Sequence, residues 1–167
     1  MKKTICTLFV ALSLGFMGFQ VNAQENVTAN GGTFSAQFPD SKPAEGVAKL
    51  FDNNTGTKFY FPGKNAIWIR YNSSIPVTIK EYSLASANDS PGRDPKNWTL
   101  EASNDSIGNW TVIDTRNDEY FSDRGQINNY KVSKSDVKYR FFRLNISATL
   151  ERDFQLAEWT LWASKKR

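Results

Sequence analysis

The sequence predicts an all-β protein, an antiparallel β-sandwich with one short helix. Three observations predict it. Apolar residues recur at every second position in a series of short segments. Asn, Asp, Ser, Gly and Pro separate those segments at short intervals. Helical spacing is confined to "PAEGVAKLF" (43–51), which makes about two turns. Short strands with frequent turns and little helix belong to two packed antiparallel sheets.

The chain opens with a segment that is read apart from the fold. Lys2 and Lys3 precede the apolar run "ICTLFVALSLGFMGF", and "VNA" sets modest side chains before Gln24. That is the layout of a secretory signal peptide cleaved after Ala23. The run is short for a membrane span, so membrane insertion is not expected. Export to the periplasm, the cell surface or the exterior is. Removing 23 of the 167 residues leaves 144, enough for one domain with a real core. Within it, residues 24–32 read as an N-terminal linker, 33–163 as the sandwich and 164–167 as a basic tail.

The strands follow in order. "IWIRY" alternates Ile67, Ile69 and Tyr71 against Trp68 and Arg70. "VTIKEYSLAS" puts Val77 and Ile79 on one face, then changes phase so that Tyr82 and Leu84 point inward, which predicts a bulge near Glu81. "WTLEAS" sends Trp98, Leu100 and Ala102 to one side, and "WTVID" does the same with Trp110 and Val112. "YRFFRLNIS" and "FQLAEWTLWA" close the chain as further strands with aromatic residues on both faces.

One phrase occurs twice. Asn-Asp-Ser leads to Asn-Trp-Thr from Asn88 to Thr99 and again from Asn104 to Thr111, the first copy being four residues longer. The short copy, "NDSIGN", has the chemistry of a hairpin turn, with Asn104 and Asp105 bonding their own main chain and Gly108 supplying positive φ. The long copy is stiffened by Pro91 and Pro95 around Gly92, and it carries Arg93 and Asp94. Both tryptophans are expected at strand starts, packed into the core.

Composition removes several functions. There is no histidine, and the only cysteine, Cys6, lies in the cleaved segment. The mature chain therefore has no imidazole base, thiol nucleophile or disulfide, and softer metals would lack their preferred ligands. Hard ions such as calcium remain open. A net charge of about +2 after cleavage (19 basic, 17 acidic side chains) predicts no nucleic-acid affinity. No Ser-x-x-Lys stands in a suitable setting, since "SKSDVK" reads as a hairpin loop, and no Gly-rich phosphate loop occurs. Paired carboxylates for glycoside hydrolysis stay open, because their spacing in space is not written in the sequence. Sequons at Asn26, Asn97, Asn109 and Asn145 read as a by-product of polar turns.

Three segments together resemble the discoidin family, the coagulation-factor C-type domains, which includes galactose-binding-like carbohydrate-binding modules of secreted bacterial proteins. They are "AKLFDNNTGTKFYF", "SANDSPGRDPKNWTLEASNDSIGNWTVID", and "YRFFRLNI" with "FQLAEWTLW". The resemblance implies a jelly-roll-like sandwich and binding rather than catalysis. It also implies a structural calcium held by Asp52, Asn54 and Thr57 in the early loop and by Glu158 in the last strand, with carbonyls of Lys49 and Ala157 added. Carboxylate, hydroxyl and carbonyl oxygens suit a hard cation. The other reading is an Asx turn that caps the backbone, with Glu158 paired to a base. Asn53 stands where the family usually has glycine.

A sugar site needs an aromatic platform and a few planar hydrogen-bond formers. The candidates are Tyr60, Phe61, Asn88, Asp89, Arg93, Asp94 and Arg124. Alternation turns Tyr60 away from the face that Phe59 buries. Arg93, Asp94 and Arg124 divide evenly between ligand contact and an internal ion pair that fixes the loop. The expected partner is a glycan or glycoconjugate, met by a monomer. The alternative is a protein-interaction or adhesion domain with no sugar ligand.

Overall fold

The computed structural model describes residues 24–134 and 136–164. The expected signal peptide and residues 165–167 of the basic tail lie outside the described residues. Eleven segments form strands: β1 Gln24–Asn26, β2 Thr33–Ala36, β3 Phe59–Phe61, β4 Ile67–Val77, β5 Ile79–Ala85, β6 Pro95–Ser103, β7 Thr111–Arg116, β8 Ile127–Lys131, β9 Tyr139–Thr149, β10 Phe154–Leu156 and β11 Glu158–Ser164. They make a five-stranded sheet in the order β2-β4-β9-β6-β7 and a four-stranded sheet in the order β1-β11-β5-β8. The small pair β10-β3 stands at one end. Every pairing is antiparallel. The architecture is the expected β-sandwich.

The inward rows fill the space between the sheets. Ile67, Ile69 and Tyr71 of β4, Leu100 of β6, and Phe142, Leu144 and Ile146 of β9 are buried against Tyr82, Leu84, Trp159 and Leu161 of the other sheet. Burial of these side chains, each worth about 1.5–3 kcal/mol, is the main source of stability in a chain without disulfides. The predicted bulge is present. Trp162 faces Glu81 while Ala163 faces Ile79, which leaves Lys80 as the extra residue and turns Tyr82 and Leu84 inward.

Three expectations are corrected. Residues 24–32 are not a linker throughout, because β1 pairs with β11 and Val27 is buried in the core. The helical stretch is two 3-10 turns, Pro43–Glu45 and Val47–Phe51, interrupted at Gly46. Trp110 and Val112 do not point inward. The register shifts between Leu100 and Glu101, so Ile113 is the extra residue and takes the core position instead. Among the described residues no helix is long and apolar enough to cross a membrane.

Candidate functional site

β3 places the first elements of the site. Phe59 is fully buried against Phe154, with ring centroids 5.8 Å apart, so alternation sends Tyr60 to the outside. Its hydroxyl donates to Asp153 Oδ2 at 2.7 Å, and the other oxygen of Asp153 accepts the Gly63 N–H at 2.8 Å. The Gly63 N–H and the Tyr60 hydroxyl hold the Asp153 carboxyl below its usual range, while the same carboxylate raises the Tyr60 phenol. Arg93 lies 5.2 Å from the Tyr60 ring centre and Lys42 lies 5.3 Å from it. Arg93 also stands 3.4 Å from Glu151 and 3.6 Å from Asp153. Phe61 is half-buried and stacks on Phe38.

The long Asn-Asp-Ser loop is locked into this end from beneath. Asp94, 6% exposed, accepts Arg124 Nη2 at 2.6 Å, and Arg124 Nη1 donates to the carbonyls of Ala87 and Asp89. Gln155 donates to the carbonyls of Asp89 and Ser90 at 2.6 and 2.9 Å. Burial pushes the Asp94 carboxyl up, against the pull of Arg124. Asp94 and Arg124 thus form the internal ion pair. The Asp89 carboxylate meets Lys58 Nζ at 2.5 Å, which lowers its pKa. Asn88 is exposed at the tip. The loop passes close to Glu151 at Gly92: a Cβ there would fall 2.5 Å from Glu151 Oε1 and oblige that side chain to move, and the Gly92 carbonyl accepts the Glu151 N–H.

The structure therefore brings Tyr60, Phe61, Asn88, Asp89 and Arg93 to one end of the sandwich. It adds Lys42, Glu151 and Asp153, which stand out by no motif or spacing. Their partners are distant in the chain (Tyr60 and Asp153 are 93 residues apart), and no local pattern marks them.

A second cluster forms where the early loop meets β11. Thr57 Oγ1 donates to both oxygens of Asp52, at 3.0 and 2.8 Å, and the Asn54 N–H donates to Glu158 Oε1 at 2.7 Å. Asn53 adopts φ of 57°, a left-handed angle that Asn tolerates, so it serves where glycine is usual. Burial pushes the Glu158 carboxyl up to about 7, with the nearby Asp52 adding to the rise. Burial also raises Asp52, but bonds from Thr57, Glu158 and Lys49 outweigh it and leave the group lowered. Lys49 Nζ is 3.3 Å from Asp52. Among the described residues no three His, Cys, Asp or Glu side chains gather as a metal group. A cation here would rest on two carboxylates supplemented by hydroxyl and carbonyl oxygens.

The architecture is that of the discoidin-like β-sandwiches. It matches the F5/8 type C domain of a Bacteroides fragilis protein with a TM-score of 0.72 at 14% identity, over 86% of this chain and 98% of that one. It also matches the Clostridium perfringens module CpGH89CBM32-5, solved in complex with GalNAc-β-1,3-galactose, with a TM-score of 0.70 at 15% identity over 83% of this chain and all of that one. No family model matches the sequence. In sequence the chain is similar to a peptide-N(4)-(N-acetyl-β-glucosaminyl)asparagine amidase of Arabidopsis thaliana, 36% identical over 104 residues. Those residues are 60% of this chain and 14% of the amidase.

Proposed function

We propose that the protein is an exported, non-catalytic module that binds glycan at the loop end of the sandwich. The observation that supports this best is the outward-facing Tyr60 with the Arg93 guanidinium 5.2 Å from its ring centre, on a loop that the Asp94–Arg124 pair holds in place and on which Asn88 is exposed. Pre-ordered loops lower the entropic cost of binding. The module solved with GalNAc-β-1,3-galactose supports a sugar ligand, and the amidase is a protein named for a glycan linkage. With no histidine or cysteine left in the mature chain to form a base–nucleophile pair, the reading is binding rather than catalysis.

Calorimetric titration with GalNAc-β-1,3-galactose and with an N-glycan core tests it. Binding with Kd on the order of 1 mM or tighter is expected, and Arg93→Ala should weaken it about tenfold. Absence of heat with either sugar and with a glycan array would reject the reading.

Calcium belongs to the same proposal. Asp52, Thr57 and Glu158, with carbonyls of Lys49, Asn54 and Ala157, are hard oxygen donors, and two carboxyls forced together, one of them pushed up to about 7, are the electrostatic situation a cation relieves. Its role would be to brace the early loop against β11. Added calcium should raise Tm, and Glu158→Gln should remove the effect; at 100 times Kd the gain is about 2.7 kcal/mol. A melting curve indifferent to both calcium and chelator eliminates the ion.

A further inference from the structure

The outward face of the four-stranded sheet is built unlike an ordinary solvent face. Its rows are set by register: Trp162 lies between Asn26 and Glu81, Ser83 lies between Thr160 and Asn129, and Ala85 lies between Glu158 and Ile127. The centre of the face is made of small side chains. Ser83 and Ala85 point outward, yet they are only 5% and 1% exposed. Taller neighbours wall them in: Trp162 on one side, Asn129 on another, and Asn53 and Glu158 at the end. Trp162 leans across β5, its indole Nε1 donating to Ser83 Oγ at 3.4 Å. The result is a trough of about 320 Å³, at the lower end of the ~300–1,000 Å³ typical of small-molecule sites.

The lining states the chemistry of its occupant. Three carboxamides (Asn26, Asn53 and Asn129) and the hydroxyls of Thr55, Ser83 and Thr160 supply paired donors and acceptors. The indole supplies an apolar platform. Glu158 is the only ionisable residue in the lining, and it carries no basic group. An acyl chain or apolar peptide would match Trp162, Ala85 and Ile127 but would cover the carboxamides and hydroxyls without bonding them. A phosphate or carboxylate ligand would find no cation. A neutral, hydroxyl-rich ring with one apolar face satisfies every wall.

We infer that this trough is a second saccharide site, separate from the loop end and able to hold one or two neutral pyranose units. Two sites on different surfaces of one small domain would engage a multivalent glycan by avidity, without either being tight alone.

Amide and indole NMR spectra titrated with chitotriose and, separately, GalNAc-β-1,3-galactose test this. The Trp162 indole signal and the amides of Ser83, Asn129 and Thr160 are expected to shift saturably. Trp162→Ala and, as a milder second variant, Asn129→Ala should weaken that binding at least threefold. Both side chains face outward, so the fold should persist, with unchanged Tm as the check. Arg93→Ala should leave the Trp162 shifts intact. Shifts confined to Tyr60, Arg93 and their neighbours would overturn the second site and leave the loop-end reading standing. Absence of shifts in both regions would overturn both.

Discussion

The two copies of the Asn-Asp-Ser phrase share their words and not their outcome. The long copy delivers Trp98 into the core, 1% exposed, where its indole N–H donates to the Tyr82 hydroxyl at 2.9 Å and that hydroxyl donates onward to Asp114. The short copy delivers Trp110 to the outer face of the five-stranded sheet, where Arg143 and Arg70 lie 4.4 and 5.0 Å from its ring. The turns differ as well. In the short copy, Asp105 Oδ1 accepts the Ile107 N–H, and the left-handed residue is Asn109 rather than the expected Gly108. In the long copy Ser90 takes positive φ, and a 3-10 turn over Pro91–Arg93 follows. The same residues thus mark a reversal of the chain in both places, while what each reversal presents depends on where the neighbouring strand is in phase.

Trp98→Ala against Trp110→Ala breaks the comparison most directly. Trp98→Ala empties a closed site and removes the donor to the Tyr82 hydroxyl, so a loss of about 3–5 kcal/mol is expected from urea unfolding. Trp110→Ala removes cation–π contact at a partly solvated surface, for a loss of about 1 kcal/mol. Comparable losses would mean that Trp110 is buried after all.

Next in size is the lock beneath the long loop. Arg124→Ala leaves the Asp94 carboxyl buried without its cation, and a loss of about 3 kcal/mol is expected. Asp105→Ala, in the exposed short turn, removes hydrogen bonds to Ile107 and Asn109 and should lose about 1 kcal/mol. Arg124→Ala should also weaken any sugar binding at the loop end, whereas Asp105→Ala should not. An Arg124→Ala loss below that of Asp105→Ala would show the clamp to be dispensable.

Legibility in the sequence follows the range of the cause. Period-two alternation revealed β4, β6 and β9, and a change of phase within one segment revealed the bulge at Lys80, because both are written in consecutive residues. The bulge at Ile113 has no such signature: "WTVID" alternates as if Trp110 and Val112 faced inward, and only pairing with β6 reverses them. The loop end was half visible. Tyr60 stood out by alternation and Arg93 by its stiffened loop, but Glu151 and Asp153 are tied to them by bonds and ion pairs that span scores of residues. Asp94 and Arg124 could be paired in thought, yet only burial decides that they face each other. The short helix was legible as helix and not as 3-10, since Gly46 between its two turns does not announce hydrogen-bond length.

Acid separates the two copies most subtly. Beside the long loop, the Gly63 N–H is held by Asp153, whose folded pKa is lowered. In the short copy, the Asp105 N–H is held by the Ser103 hydroxyl at 2.9 Å, an acceptor that does not titrate. A carboxylate lowered in the folded state contributes stability that is fully present above its unfolded value, 3.8, and is lost as pH falls through the folded value. Amide-exchange protection at Gly63 should therefore hold at pH 5 and fall severalfold below about pH 3.8, while protection at Asp105 stays level. Asp153→Asn should show weak protection at Gly63 at every pH, and Tyr60→Phe, which removes one donor to the carboxylate, should move the loss to higher pH. Equal loss at Gly63 and Asp105 would mean that acid loosens the whole sandwich and that Asp153 has no separate part in holding the loop end.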